Sequence, residues 1–132
     1  MTNPSARYAQ VAGCLLLALA TIVGAFATHV LKAQLTADHY AALQTAVLYQ
    51  FINALGLLVL GVLALQRPSR GLTIAMSVLF AGIVLFSGSV YLLLAGASHL
   101  LGPLTPLGGI ALMVGWLLAA LALWRGKGAR DQ

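Results

Sequence analysis

The chain has 132 residues, of which 61% are hydrophobic and only nine are Asp, Glu, Lys or Arg; a soluble domain carries about a quarter charged residues. Such a composition excludes an ordinary water-soluble fold and points to a bilayer protein. The net charge of +5 suits contact with anionic lipid head groups, and no nucleic-acid partner is expected.

The first uncharged run covers 8–31. A hydrocarbon core about 30 Å thick needs roughly 20 apolar residues of helix, so this run gives one span at about 7–30. Two cues inside it resemble processing signals. Val11-Ala12-Gly13-Cys14 has the form of a lipoprotein site, but the residues before it are mostly polar where such a signal needs an apolar region, which excludes that reading. Ala25-Phe26-Ala27 has the small-x-small form of a signal-peptidase site. The apolar run is longer than a typical signal core, so the first span is expected to be retained. Cys14 is the single cysteine; it can form no internal disulfide and is expected to be a small buried hydrophobe.

The second uncharged run, 39–66, predicts a helix over 38–65. Arg67-Pro68-Ser69-Arg70 reads as a tight connection, with Ser69 the cap of the next helix. The third run, 71–124, is too long for one span. Gly102-Pro103-Leu104-Thr105-Pro106 divides it, because each proline lacks an N–H and clashes with the preceding turn. Helices over 71–97 and 105–124 result, with Thr105 as the expected cap and Pro106 at the first helical position. None of these runs alternates with the period of two that a membrane β-barrel requires. The fold class is therefore an all-α membrane protein, a single domain over 1–132 built as a four-transmembrane-helix bundle.

Basic residues accumulate on the cytoplasmic side of membrane proteins. Arg7, Arg67, Arg70, Arg125, Lys127 and Arg130 fall on one side of these spans and only Lys32 on the other, so both termini are expected to be cytoplasmic.

Polar side chains inside spans are costly unless paired, which makes their placement informative. Thr45, Tyr49 and Asn53 are spaced by four and form one stripe on the second helix, with Gln50 at its margin. Ser87 and Tyr91 repeat that spacing on the third helix, with Ser89 nearby; His29 and His99 lie near the outer ends of the first and third helices. One reading is that these groups hold helices together by hydrogen bonds of about 1 kcal/mol or less. Small residues at Ala20, Gly24 and Thr28 and at Ser77 and Ala81 suit that reading. The other is a small polar pocket open to the outer side. His29 and His99 could ligate a haem or metal, but no CxxC or HxxxH and no second His on either helix supports it, so no metal and no cofactor are expected. No carboxylate lies within a span, which leaves acid–base catalysis without candidates and predicts that the protein is not an enzyme. Gly108-Gly109 precedes no Lys-Ser or Lys-Thr, as a phosphate loop would require, and more simply permits close helix contact.

Four segments, Gly24-Ala25-Phe26-Ala27-Thr28-His29, Thr45-Ala46-Val47-Leu48-Tyr49-Gln50, Phe86-Ser87-Gly88-Ser89-Val90-Tyr91 and Leu104-Thr105-Pro106-Leu107-Gly108-Gly109, together resemble the YgdD-like small inner-membrane proteins. That family is a domain of unknown function, DUF423, related to a mitochondrial family of TMEM type. The resemblance covers about residues 12–120. It implies a four-helix protein of the bacterial inner membrane whose first span is kept. Where that family often carries a His after the Tyr-Gln motif, this chain has Asn53, which argues against an imidazole-dependent mechanism there. The expected role is an accessory or interaction protein that binds a membrane complex or lipid, or self-associates. The alternative is an oligomeric conduit for a small molecule or ion.

Overall fold

The computed structural model describes residues 3–126. Four helices carry the chain: α1 (Pro4–His29), α2 (Ala37–Gln66), α3 (Arg70–Leu94) and α4 (Leu104–Arg125), with short 3-10 turns at Leu31–Ala33 and His99–Leu101. No strand occurs among the described residues. All four helices are long and apolar enough to cross a bilayer. Lys127, Arg130 and Asp131 lie outside the described residues.

Three of the four helices start at a side-chain cap. Pro4 occupies the first turn of α1, where its missing donor costs nothing, and the Asn3 side chain accepts from the Ala6 amide at 3.4 Å. Thr36 caps α2 through the His39 amide at 3.3 Å. Ser69 caps α3 through Leu72 at 3.1 Å, as the sequence predicts.

Helix α1 begins at Pro4, three residues before the expected start, and two further boundaries differ from expectation. The third helix stops at Leu94 instead of running to 97, because Gly96 adopts φ +92°, a left-handed conformation that ends the helix. Its amide donates to Leu93 O at 3.1 Å and that of Ala97 to Leu92 O at 2.9 Å, the paired closure that satisfies the last carbonyls. The fourth helix begins at Leu104 without a side-chain cap. Thr105 is not the cap; its hydroxyl is engaged by Ser89 on the neighbouring helix at 2.6 Å.

Helices α2 and α3 form the middle of the molecule. Helix α1 lies antiparallel along α2, and α4 antiparallel along α3, whereas α1 meets α3 only lightly. Leu57 and Leu60 of α2, Leu72, Met76, Leu79 and Ile83 of α3 and Leu112 of α4 make the main core. A smaller cluster of Ala27, Leu43 and Val47 lies toward the other end, with Leu31, Leu35 and Tyr91 against it.

Apolar lipid gives helices no hydrophobic reason to associate, so close backbone approach carries much of the attraction. A β-carbon at Gly13 would stand 3.0 Å from the Ala54 carbonyl oxygen, and one at Gly61 3.0 Å from that of Ala6. At Gly108 it would overlap the Phe86 backbone. The small residues singled out in the sequence contribute unevenly. Ala20 is buried, but Thr28 and Ser77 are exposed and bond back to their own helices, at Gly24 O and Thr73 O. Cys14 is exposed and not the buried hydrophobe expected, because it lies on a face of α1 turned away from α2.

The glycine contacts give a direct test. Gly108→Val must part α3 from α4 and should lower stability in detergent by about 1–3 kcal/mol, the usual cost of overpacking. Gly88→Ala is its control, since nothing lies within 4 Å of the added carbon. Equal thermal midpoints for the two variants would remove Gly108 as the close-packing point.

Candidate functional site

Gln50 lies near the middle of the 30-residue α2 and is buried. A primary amide there must find partners in protein, since hydrocarbon offers none. Its Nε2 donates to the Leu16 carbonyl of α1 at 2.8 Å, and its Oε1 accepts from the Tyr91 hydroxyl of α3 at 2.7 Å. The orientation is dictated by chemistry: a carbonyl can only accept, so the NH₂ must face Leu16 and the oxygen is left for Tyr91. One side chain thereby joins three helices.

Three further contacts complete the pattern. Ser87 donates to the Ala46 carbonyl at 2.8 Å, tying α3 to α2 a turn from Gln50. Asn53 accepts at its Oδ1 from Trp116 Nε1 of α4 at 2.8 Å, while its Nδ2 donates to Tyr49 O of its own helix at 2.8 Å. An indole N–H can only donate, which again fixes the amide. Ser89 meets Thr105 and also donates to Phe86 O at 2.9 Å. The Trp116 ring fits the notch at Gly56, where a β-carbon would overlap it.

The nine residues predicted from sequence therefore separate. Gln50, Asn53, Ser87, Ser89 and Tyr91 take part in one set of interhelical bonds. Gln50, placed only at the margin of the stripe, is its centre, and it lies at mid-helix, not in the outer half. Tyr49 is 44% exposed and packs its ring on Phe86, with centroids 5.0 Å apart. Thr45 is exposed and bonds back to Ala41 O at 3.0 Å. His29 and His99 are both exposed at helix ends. Among the described residues no three His, Cys, Asp or Glu side chains are grouped to hold a metal.

Asn53 turns to α4, where its partner is a tryptophan that sequence reasoning passed over. A signal for it exists. Tryptophans favour membrane interfaces, and Trp116, near the middle of α4, carries a donor that needs an acceptor.

A groove of about 460 Å³ opens elsewhere, between α1 and α3. Ser5, Tyr8, Ala9, Ala12 and Leu15 form one wall, Thr73, Met76, Ser77 and Phe80 the other, and Leu57 the floor. None of the nine polar candidates lines it.

These features define a helical membrane protein with four apolar helices joined through side-chain amides and hydroxyls. Its family is equally clear. The chain belongs to the family described as "Protein of unknown function (DUF423)", which matches residues 23–109. It is 40% identical over 105 residues to the UPF0382 membrane protein YwdK of Bacillus subtilis, covering 79% of this chain and 85% of that one. It is 35% identical to a UPF0382 membrane protein of Staphylococcus aureus (88% and 94% covered) and 34% identical to one of Haemophilus influenzae (80% and 84% covered). No solved structure matches significantly.

Replacing Gln50 by Leu removes two interhelical bonds and strands the Tyr91 hydroxyl. We expect a loss of about 1–2 kcal/mol in thermal unfolding in detergent, and Q50L/Y91F should cost less than the sum of its two single changes. Strict additivity would mean the pair is not coupled. In a Trp124→Phe background, Asn53→Ala should shift the Trp116 emission; an unchanged spectrum would count against the Asn53–Trp116 bond.

Proposed function

We propose that the protein is a non-catalytic accessory subunit of the bacterial inner membrane, with both termini cytoplasmic, that acts by binding a larger membrane-protein complex. The observation that carries this reading is the use of the interior polar groups. Gln50, Asn53, Ser87, Ser89 and Tyr91 bond to helices of the same chain, so they are engaged in assembly instead of facing a solute path. A proton- or ion-coupled path also calls for an embedded acid or base, and between its first and last turns none of the helices carries an Asp, Glu, His, Lys or Arg. What remains to act is the outer surface, where Leu107, Ile110, Met113, Leu117 and Leu121 give α4 an exposed apolar face. The basic residues Arg7, Arg67, Arg70 and Arg125 at one end support the orientation.

Purification from native membranes in mild detergent tests the role. A stoichiometric partner protein is expected, and its recovery should survive Q50L in proportion to folded material. A homo-oligomer that conducts ions or retains a bound solute after reconstitution would replace this reading with the conduit. Reporter fusions after Gln132 and between Pro68 and Ser69 should read cytoplasmic, and one at Gly102 periplasmic; a cytoplasmic reading at Gly102 would reverse the topology.

A further inference from the structure

We propose that the groove between α1 and α3 holds one acyl chain of an anionic phospholipid from the leaflet at the arginine-bearing end, with the phosphate held near Arg7 and Arg70. This goes beyond the partner-binding role and stands whether or not a protein partner exists.

The wall chemistry selects the chain. Tyr8, Val11, Leu15, Leu57, Met76 and Phe80 are apolar over most of their contact surface. The two hydroxyls on the α3 wall are already used: Thr73 donates to Ser69 O at 3.3 Å and Ser77 to Thr73 O at 2.9 Å. Such back-bonded hydroxyls ask for no polar occupant.

The dimensions select a single chain over a helix. From Ser5 to Leu15 is ten residues, about 15 Å of helix rise, which is roughly half of a 30 Å hydrocarbon core. The groove is therefore one leaflet deep. Spread over that depth, 460 Å³ gives a cross-section of about 30 Å², whereas a helix about 10 Å across needs about 80 Å². The groove therefore encloses an acyl chain more fully than it could a whole helix of a second copy or of another protein.

Charge selects the head group. Arg7 stands one turn from the groove residue Val11 on α1, and Arg70 is three residues before Thr73 on α3. Both arginines are exposed. Asp38, the only acid among the described residues, is in the first turn of α2 at the opposite end, so among the described residues no carboxylate competes with a phosphate there. Tyr8, 75% exposed, sits between at the level where an amphipathic ring meets head groups.

Native mass spectrometry of the delipidated full chain in detergent, titrated with dioleoyl-phosphatidylglycerol or dioleoyl-phosphatidylcholine, tests this. One phosphatidylglycerol should bind, and phosphatidylcholine should bind far more weakly. The exposed pair R7Q/R70Q should weaken phosphatidylglycerol about 25-fold, about fivefold per arginine, and leave the thermal midpoint unchanged. Ala12→Trp should fill the groove and remove the bound lipid; the arginine pair keeps the test decisive if that variant folds poorly. Equal affinity for the two lipids overturns the proposal. So does a folded A12W that still binds phosphatidylglycerol as the wild type does, which would reduce the effect to surface attraction, and so does loss of a dimer instead of a lipid.

Discussion

The amide of Gln50 is the constraint from which the rest of the arrangement follows. A helix in hydrocarbon satisfies its own backbone, but a buried side-chain amide has to be satisfied by neighbours, and leaving it bare costs several kcal/mol by water-to-alkane reasoning. Gln50 meets that demand with one acceptor on α1 and one donor on α3. Those two contacts set the depth of α1 and the rotation of α3 about α2. A shift of either by one residue would carry the Leu16 carbonyl or the Tyr91 hydroxyl out of reach. The bonds are individually small, about 0.6 kcal/mol on average in membrane bundles. Their value lies in excluding alternative registers that apolar surfaces alone would accept.

Helix α4 poses the opposite problem, because it is apolar on every side and so no polar stripe distinguishes its packed side from its exposed one. Its register comes from shape and from one donor. Gly108 lets its backbone reach that of α3 beside Phe86, and the Trp116 ring enters the notch at Gly56 to reach Asn53. Ser89 and Thr105 pin the end where α4 begins. Tryptophan at mid-helix acts here as a long arm, spanning from α4 to α2 while the α4 backbone packs chiefly on α3 and that of α2 chiefly on α1.

Helix number and position were legible because they depend on quantities a sequence displays: run length, charge and proline. The cap at Ser69 was legible for the same reason. The third helix ended three residues early because the left-handed turn at Gly96 is a choice that an uninterrupted apolar run conceals. The polar residues were legible as a set, but their pairing was not. Spacing by four places Thr45, Tyr49 and Asn53 in one stripe, yet partners are fixed by which neighbour each face meets, and Tyr49 meets Phe86 whereas Asn53 meets Trp116. A small residue likewise matters only when it faces a partner, which is why Gly13 and Gly61 permit close approach while Ser77 lines a groove.

The distribution of these bonds divides the molecule into two unlike halves. The side-chain links from Gln50, Ser87 and Ser89 run from mid-helix toward the end that carries His29 and His99, and the Asn53–Trp116 bond lies at mid-helix. Toward the arginine end, Asn3 donates to Ala64 O at 3.1 Å and ties α1 to α2, while α1 and α3 face each other across apolar and back-bonded side chains. Separation of α1 from α3 at that end breaks no hydrogen bond between them, whereas at mid-helix it must break one of the two bonds by which Gln50 of α2 bridges Leu16 of α1 and Tyr91 of α3. At the arginine end α1 and α3 are thus held together through the apolar core they share with α2, whereas from mid-helix outward the side-chain bonds keep the helices in register.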